Sequence, residues 1–268
     1  MPTELALLAH DALAETLCGE RLTAREAAAI AASANPRVRR RRLAGRVAAK
    51  HLLLLHAAEA MAEPADEAPR FVTLDAERIA AFSAERYREV ELLPSDVPAD
   101  AAPPRPTLRG TPLAARVSIS HRGGLSCAAV GDDRAVGVDL EGVAARAAAF
   151  YRSNFTAVER RWVEAGARRA GLAAEWLYTF LWTVKEAALK SGATAVRSVW
   201  EFPQLEVTLP ARLAEQLGAA RGRALGERFT AFDATLAHAG RCTPARVQTT
   251  TTDEAILSLL TTAVEAKT

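Results

Sequence analysis

Three carboxylates and a lysine raise the question of chemistry. Asp139 and Glu141 stand two residues apart in VGVDLEGV, a β-rich stretch. On a strand, residues i and i+2 point to one face. The two carboxylates therefore project side by side, and Leu140 points into the core. Like charges at that range repel and need an offsetting charge. A divalent cation supplies one, since a few protein carboxylates plus phosphate oxygens are a usual Mg2+ arrangement. A solvated strand face carries the same pair without a metal, so the pair alone does not choose. Glu186 and Lys190, in LWTVKEAALKSG, are i, i+4 on a helical pattern and share a face. Trp176, Leu177, Tyr178, Phe180, Leu181 and Trp182 make that helix mostly buried, where a Glu–Lys pair needs more justification than a surface one. If Glu186 faces Asp139 and Glu141, three carboxylates converge on one metal. Lys190 then lies beside whatever phosphate the metal holds.

Composition frames these residues. Of 268 residues, half are apolar and a quarter charged, with a net charge of +2. This is globular composition with no global basic field demanding nucleic acid. Four lysines stand against thirty arginines, so a surviving lysine is mild support for a site that wants a compact ammonium. Cys18, Cys127 and Cys242 form neither a disulfide framework nor a zinc pattern. No apolar run approaches the roughly 20 residues of a membrane span. The first residues, MPTELALLAHDALAE, are acidic where a secretion signal is basic. The expectation is a soluble, cytoplasmic protein.

The elements that must position the site read as follows. Residues 4–9 are a strand or a helix, undecided. Thr23 and Glu26 form a capping box for a helix through about Ser33. Asn35-Pro36 opens a longer helix to about Glu63. One helix near 75–86 and one strand near 88–93 follow, and 94–112 reads as a linker. Then 116–121, 125–132 and 135–143 read as consecutive antiparallel strands. Thr156 and Glu159 cap a helix near 156–169. A long helix runs from Gly171 to Lys190 and ends on Gly192. WEFPQLEVTL and ERFTAFDATLAH read as strands, and TDEAILSLLTTAVEA as a terminal helix.

Two further clusters bear on anions. His121 ends SISH with Ser120 beside it, before Gly123 and Gly124. This could hold a phosphate, or be a hairpin turn with a hydrogen-bonded histidine. Arg37, Arg39, Arg40, Arg41, Arg42, Arg46 and Lys50 cannot all share one helix face: 39, 42, 46 and 50 fall on one stripe, 37 and 41 on another. They form a basic groove for a polyphosphate or an acidic protein, or a solvated basic face. The aromatic interleaving of a single-strand RNA binder is absent.

V-G-V-D-L-E, followed some forty residues later by L-W-T-x-K-E-A-x-x-K, resembles the signature of the 4′-phosphopantetheinyl transferases, of the larger surfactin-synthetase (Sfp) type. S-I-S-H at 118–121 and R-x-L-x-G-R at 41–46 fit the same family. The family's G-K-P is represented here by Pro104-Arg105-Pro106, and Arg122 follows S-H where a small residue is usual. The resemblance implies an α+β fold, a pseudo-dimer of two similar α/β halves with the active site at their interface. Each half has a small, mainly antiparallel sheet and long helices. The implied division is 1–112, 113–245 and a tail of 246–268. The implied reaction moves the phosphopantetheine arm of coenzyme A to a serine of an apo acyl or peptidyl carrier protein and releases 3′,5′-ADP. Asp139, Glu141 and Glu186 would bind Mg2+, with Glu186 as the base. Lys190 would neutralise phosphate charge, and Lys185 would contact phosphate or hold the helix. Ser120 belongs to the phosphate-binding S-H motif, and His121, Arg41 and Arg46 would hold the nucleotide phosphates. A monomer would suffice. Two alternatives stand beside this: another Mg2+-dependent phosphate enzyme, and a homologue that only binds carrier protein and coenzyme A.

Overall fold

The computed structural model describes residues 3–10, 15–59, 69–93, 104–131 and 134–263. The fold is mixed α+β with small sheets. It falls into two compact units, divided between residues 131 and 134, and each has its own apolar core. Among the described residues no helix is long and apolar enough to cross a membrane.

In the first unit, β1 (Glu4–Ala9), β2 (Arg70–Leu74), β6 (Arg116–Arg122) and β7 (Leu125–Gly131) make a sheet of order β2-β1-β7-β6. β3 (Val90–Leu93), β4 (Arg105–Leu108) and β5 (Thr111–Pro112) make a second, three-stranded sheet. Four short helices, α1 (Glu15–Gly19), α2 (Ala24–Ala31), α4 (Ala76–Ala80) and α5 (Ala84–Glu89), accompany the long α3 (Pro36–Glu59), and α1, α2 and α5 pack on it. α3 packs across β7, β1 and β6. In the second unit, β8 (Arg134–Gly142), β9 (Glu206–Thr208), β10 (Thr230–His238), β11 (Arg241–Thr251) and β12 (Ala255–Ala263) form a sheet of order β8-β12-β11-β10-β9. Its helices are α6 (Ala148–Asn154), α7 (Ala157–Ala170), α8 (Ala174–Ser191) and α9 (Leu213–Ala220), with a 3-10 helix at Val199–Gln204. α8 packs on β8 and β12.

The two units repeat one set of contacts. Thr23 and Thr156 each form a reciprocal capping box with Glu26 and Glu159. In both cases the glutamate is buried, and it does more than cap. Glu26 Oε1 accepts the backbone N–H of Leu92 and Oε2 accepts Lys50 Nζ at 2.7 Å. Glu159 Oε1 accepts the backbone N–H of Val207 and Oε2 accepts Lys185 Nζ at 2.8 Å. Both lysines also donate to a carbonyl two residues before the capping threonine, Arg21 and Asn154. Both threonine hydroxyls donate to the strand that follows, at Glu91 and Glu206. Strand order repeats as well. β1-β7-β6 and β8-β12-β11 each join the unit's first strand to its last and the last to its predecessor, all antiparallel. By equal steps along the helix, His51 and Leu55 stand where Glu186 and Lys190 stand after Lys185.

Several sequence expectations need correcting. The third expected strand, β8, leaves β7 and pairs with β12. The hairpin β6–β7, read with the later half, pairs through β7 with β1. The expected terminal helix is β12, the strand between β8 and β11. Ile256 to Thr262 are buried on both faces, so the run has no alternation to mark it as a strand. Thr252 accepts the N–H groups of Glu254 and Ala255 and closes the hairpin turn before β12. WEFPQ is the 3-10 helix, and only Glu206–Thr208 is strand. The expected linker contains β4 and β5, and 94–103 lies outside the described residues, as does the expected helix end at 60–63. The undecided stretch 4–9 is a strand.

The repeated ion pairs are both shut off from solvent. Burial pushes the Glu159 carboxyl up and pulls the Lys185 ammonium down, and each partner's charge opposes this. Removing one partner leaves a buried charge uncompensated. Lys185→Met is expected to cost about 3–5 kcal/mol in denaturant unfolding. Lys185→Met with Glu159→Gln should cost less than the sum of the two single changes.

Candidate active site

A glycine sets the geometry. Gly137 lies on β8, on the same face as Asp139 and Glu141. A Cβ there would overlap the carbonyl oxygen of Ala187 on α8. The helix backbone therefore rests directly on the strand, and the turn from Glu186 to Lys190 meets the two carboxylates. Ser258, the cross-strand neighbour of Asp139 on β12, bonds Thr183 on α8 at 2.7 Å and so ties the helix to the sheet a turn earlier.

Lys190 Nζ donates to Asp139 Oδ1 at 2.6 Å and lies 3.9 Å from Glu186 Oε2. Of these two contacts the tie across to the strand is the closer, and the helical i, i+4 pair the longer. Asp139 is buried, while Glu186 and Lys190 are half-buried. The Glu186 carboxyl is pushed up to about 7, first by burial, then by the charge of Asp139, with Glu141 adding to it and Lys190 opposing. The charges of Asp139 and Glu141 thus both act on Glu186. Arg146, just beyond β8, reaches within 3.9 Å of Glu141 Oε2. Its guanidinium lies over Phe150, and its backbone N–H is held by Tyr151 Oη at 2.8 Å.

Among the described residues, no three His, Cys, Asp or Glu side chains stand close enough to hold one ion. Lys190 serves as counter-ion to Asp139 in this arrangement. The donor set nonetheless fits a hard divalent cation, since it offers carboxylate oxygen alone; the Glu186 carboxyl is raised first by burial and then by the charge of Asp139.

Lys185 is placed differently from its neighbours. It is fully buried, and its three hydrogens go to Glu159, Asn154 O and Phe202 O. No hydrogen remains for a phosphate, so it holds α8. Lys50, read with the arginine run, is fully buried in the same way. Arg39 of that run donates to Ser33 O and Ala34 O, beyond the end of α2. Arg41 and Arg46 are half-buried on α3, and burial pulls the Arg46 guanidinium below its ordinary range. β6 continues through Arg122, so Ser120 and His121 alternate. Ser120 is buried, and His121 lies on the face that meets Gly45 of α3. The sequence reading missed Gly137 and Arg146. Glycine inside V-G-V-D was the available signal, since a strand interior favours a side chain unless backbone approaches closely.

Residues 135–234 match the family model of the 4′-phosphopantetheinyl transferase superfamily. The description points to phosphopantetheine transfer. The matched transferase segment holds Asp139, Glu141, Lys185, Glu186 and Lys190. Arg41, Arg46, Ser120 and His121 lie outside it. No curated protein matches the chain.

Two outcomes follow from this geometry. Gly137→Ala drives α8 off β8 and should destabilise by about 1–3 kcal/mol. It should also lower transferase turnover by roughly a hundredfold, because displacement near 1 Å disrupts a reacting constellation. Glu186 gives a pH signature. The folded protein binds its proton more tightly than the unfolded chain, from 4.5 to about 7. The stabilisation is therefore present below about pH 4.5 and lost as pH rises through about 7. It amounts to up to about 3 kcal/mol. In metal-free buffer, Glu186→Gln should melt higher than the parent at pH 8 and close to it at pH 4.

Proposed function

We propose that the chain is an Sfp-type 4′-phosphopantetheinyl transferase. It moves the phosphopantetheine arm of coenzyme A to a serine of an apo acyl or peptidyl carrier protein. The serine oxygen bonds to the phosphorus that bears pantetheine, the bond from that phosphorus to the leaving 3′,5′-ADP breaks, and the serine proton passes to a base. The observation that carries this reading is the superfamily match over 135–234, the segment in which Lys190 Nζ bonds Asp139 Oδ1 at 2.6 Å and lies 3.9 Å from Glu186.

Glu186 takes the serine proton directly or through water. Asp139, Glu141 and Glu186 would hold Mg2+, which when bound neutralises charge on the pyrophosphate oxygens. In this reading Lys190 leaves Asp139 for phosphate and stabilises the charge that develops on the leaving group. Lys185 positions α8 and contacts no phosphate. His121, Arg41 and Arg46 of the first unit hold the nucleotide phosphates, the 3′-phosphate with His121. Ser120, buried on the opposite face, supports the strand. The repeated capping-box ion pairs and strand order support a pseudo-dimeric origin in which the first half lacks the carboxylates. His51, at the Glu186 position, is kept neutral by burial, which lowers it to about 4, and bonds Tyr87 Oη at 2.7 Å.

The test is intact-protein mass spectrometry of an apo carrier protein with this protein, coenzyme A and Mg2+. One added phosphopantetheine is expected, lost on chelation of the metal and lost with Glu186→Gln. Coenzyme A binding with no mass gain on acyl or peptidyl carriers would overturn the transfer reading in favour of a binding module.

A further inference from the structure

His10, Ser126 and His121 form a chain of side chains within the first unit. Ser126, on β7, is fully buried. Its Oγ lies 2.7 Å from His10 Nε2 and 2.8 Å from His121 Nδ1. The register delivers all three. Ser126 is the cross-strand partner of His121 in the β6–β7 hairpin. His10 follows directly on β1, whose ladder with β7 ends at Ala9 and Leu125. The backbone N–H of His10 then donates to Gly124 O at 2.6 Å, which pins the residue against the hairpin turn. On the far side of the His121 ring, a Cβ on Gly45 would overlap Cε1 and lie 3.3 Å from Nε2. The ring is thus held at Nδ1 by a hydroxyl and bounded on the other side by bare helix backbone.

A serine hydroxyl has one hydrogen and two lone pairs. With two imidazoles as partners, it donates to one and accepts from the other. The protons on His121 Nδ1 and His10 Nε2 are therefore linked, and an N–H at one goes with a lone pair at the other. An anion at Nε2 selects the imidazolium form of His121. That form places an N–H at Nδ1, which Ser126 Oγ accepts, and Ser126 in turn donates to His10 Nε2.

We propose that Ser126 and His10 are positioning residues that hold His121 as the anion-facing ring, with His10 accepting from Ser126. This rests on the assignment of His121 to the 3′-phosphate of coenzyme A made above. The chain gives His121 what a carboxylate gives the histidine of a catalytic triad, a fixed ring plane and a fixed proton, without adding a negative charge beside the phosphate.

The experiment compares coenzyme A with 3′-dephospho-coenzyme A as donors for the full chain. Ser126→Ala removes a single oxygen. It should raise KM for coenzyme A roughly tenfold and leave kcat and the KM for the dephospho donor unchanged. His10→Gln should act in the same direction. The double variant should be no worse than Ser126→Ala, because His10 acts through Ser126. Equal losses on both donors, or additive losses, would reduce the three residues to packing and overturn the proposal. His121→Ala separates the underlying assignment. If it leaves the preference between the two donors unchanged, the 3′-phosphate reading fails. The positioning role is then decided without turnover, by nitrogen-resolved NMR of the His121 ring. Ser126→Ala should change the Nδ1 signal, and an unchanged ring would overturn the proposal.

Discussion

At Gly137 the backbone of α8 lies on β8 with no side chain between them, and the candidate site depends on that contact. Helix and sheet normally stand apart by the thickness of their side chains. Here one residue without a Cβ lets a carbonyl reach the strand, so Glu186 and Lys190 meet Asp139 and Glu141. Two features hold the helix in that position. Lys185 anchors one side of it in a buried ion pair, and Thr183 bonds Ser258 across to β12. The residues that carry charge into the site are flanked by residues that do nothing but fix the helix.

This separates two lysines that look alike in sequence. Lys185 and Lys190 are five apart on one helix, so they face different directions. One is enclosed with all its hydrogens used, and the other is half-buried against a carboxylate. D-x-E on a strand and Glu186 on a helix were legible as elements, and the charges of Asp139 and Glu141 both act on Glu186, but among the described residues the three do not close on one ion. Gly171, read as the start of the long helix, is instead the left-handed end of α7. Both capping boxes and the glycine end of α8 at Gly192 were legible, because caps are local chemistry. Long-range partnership was not. Nothing local says that Glu26 and Glu159 bind a lysine more than twenty residues away, or that β12 returns to pair with β8. A run buried on both faces, such as AILSLLTT, carries no periodicity, and only its neighbours decide its conformation.

The alternation of Ser120 and His121 shows the same limit from the other side. Adjacent residues in a motif read as a pair, yet a strand sends them to opposite faces. His121 is instead partnered by Ser126 across the hairpin and His10 beyond it. Those contacts depend on register, which the sequence expresses only through the position of a turn.

The duplicated ion-pair framework has a consequence for how this chain diverges. Each half needs its threonine, glutamate and lysine to stand, but only the second must also preserve a charge constellation. In the first half, the positions that carry Glu186 and Lys190 in the second are His51 and Leu55, and apolar or neutral packing tolerates many substitutions. Within one polypeptide, charge then restricts the residue types at these helix positions in the second half, while shape alone restricts them in the first.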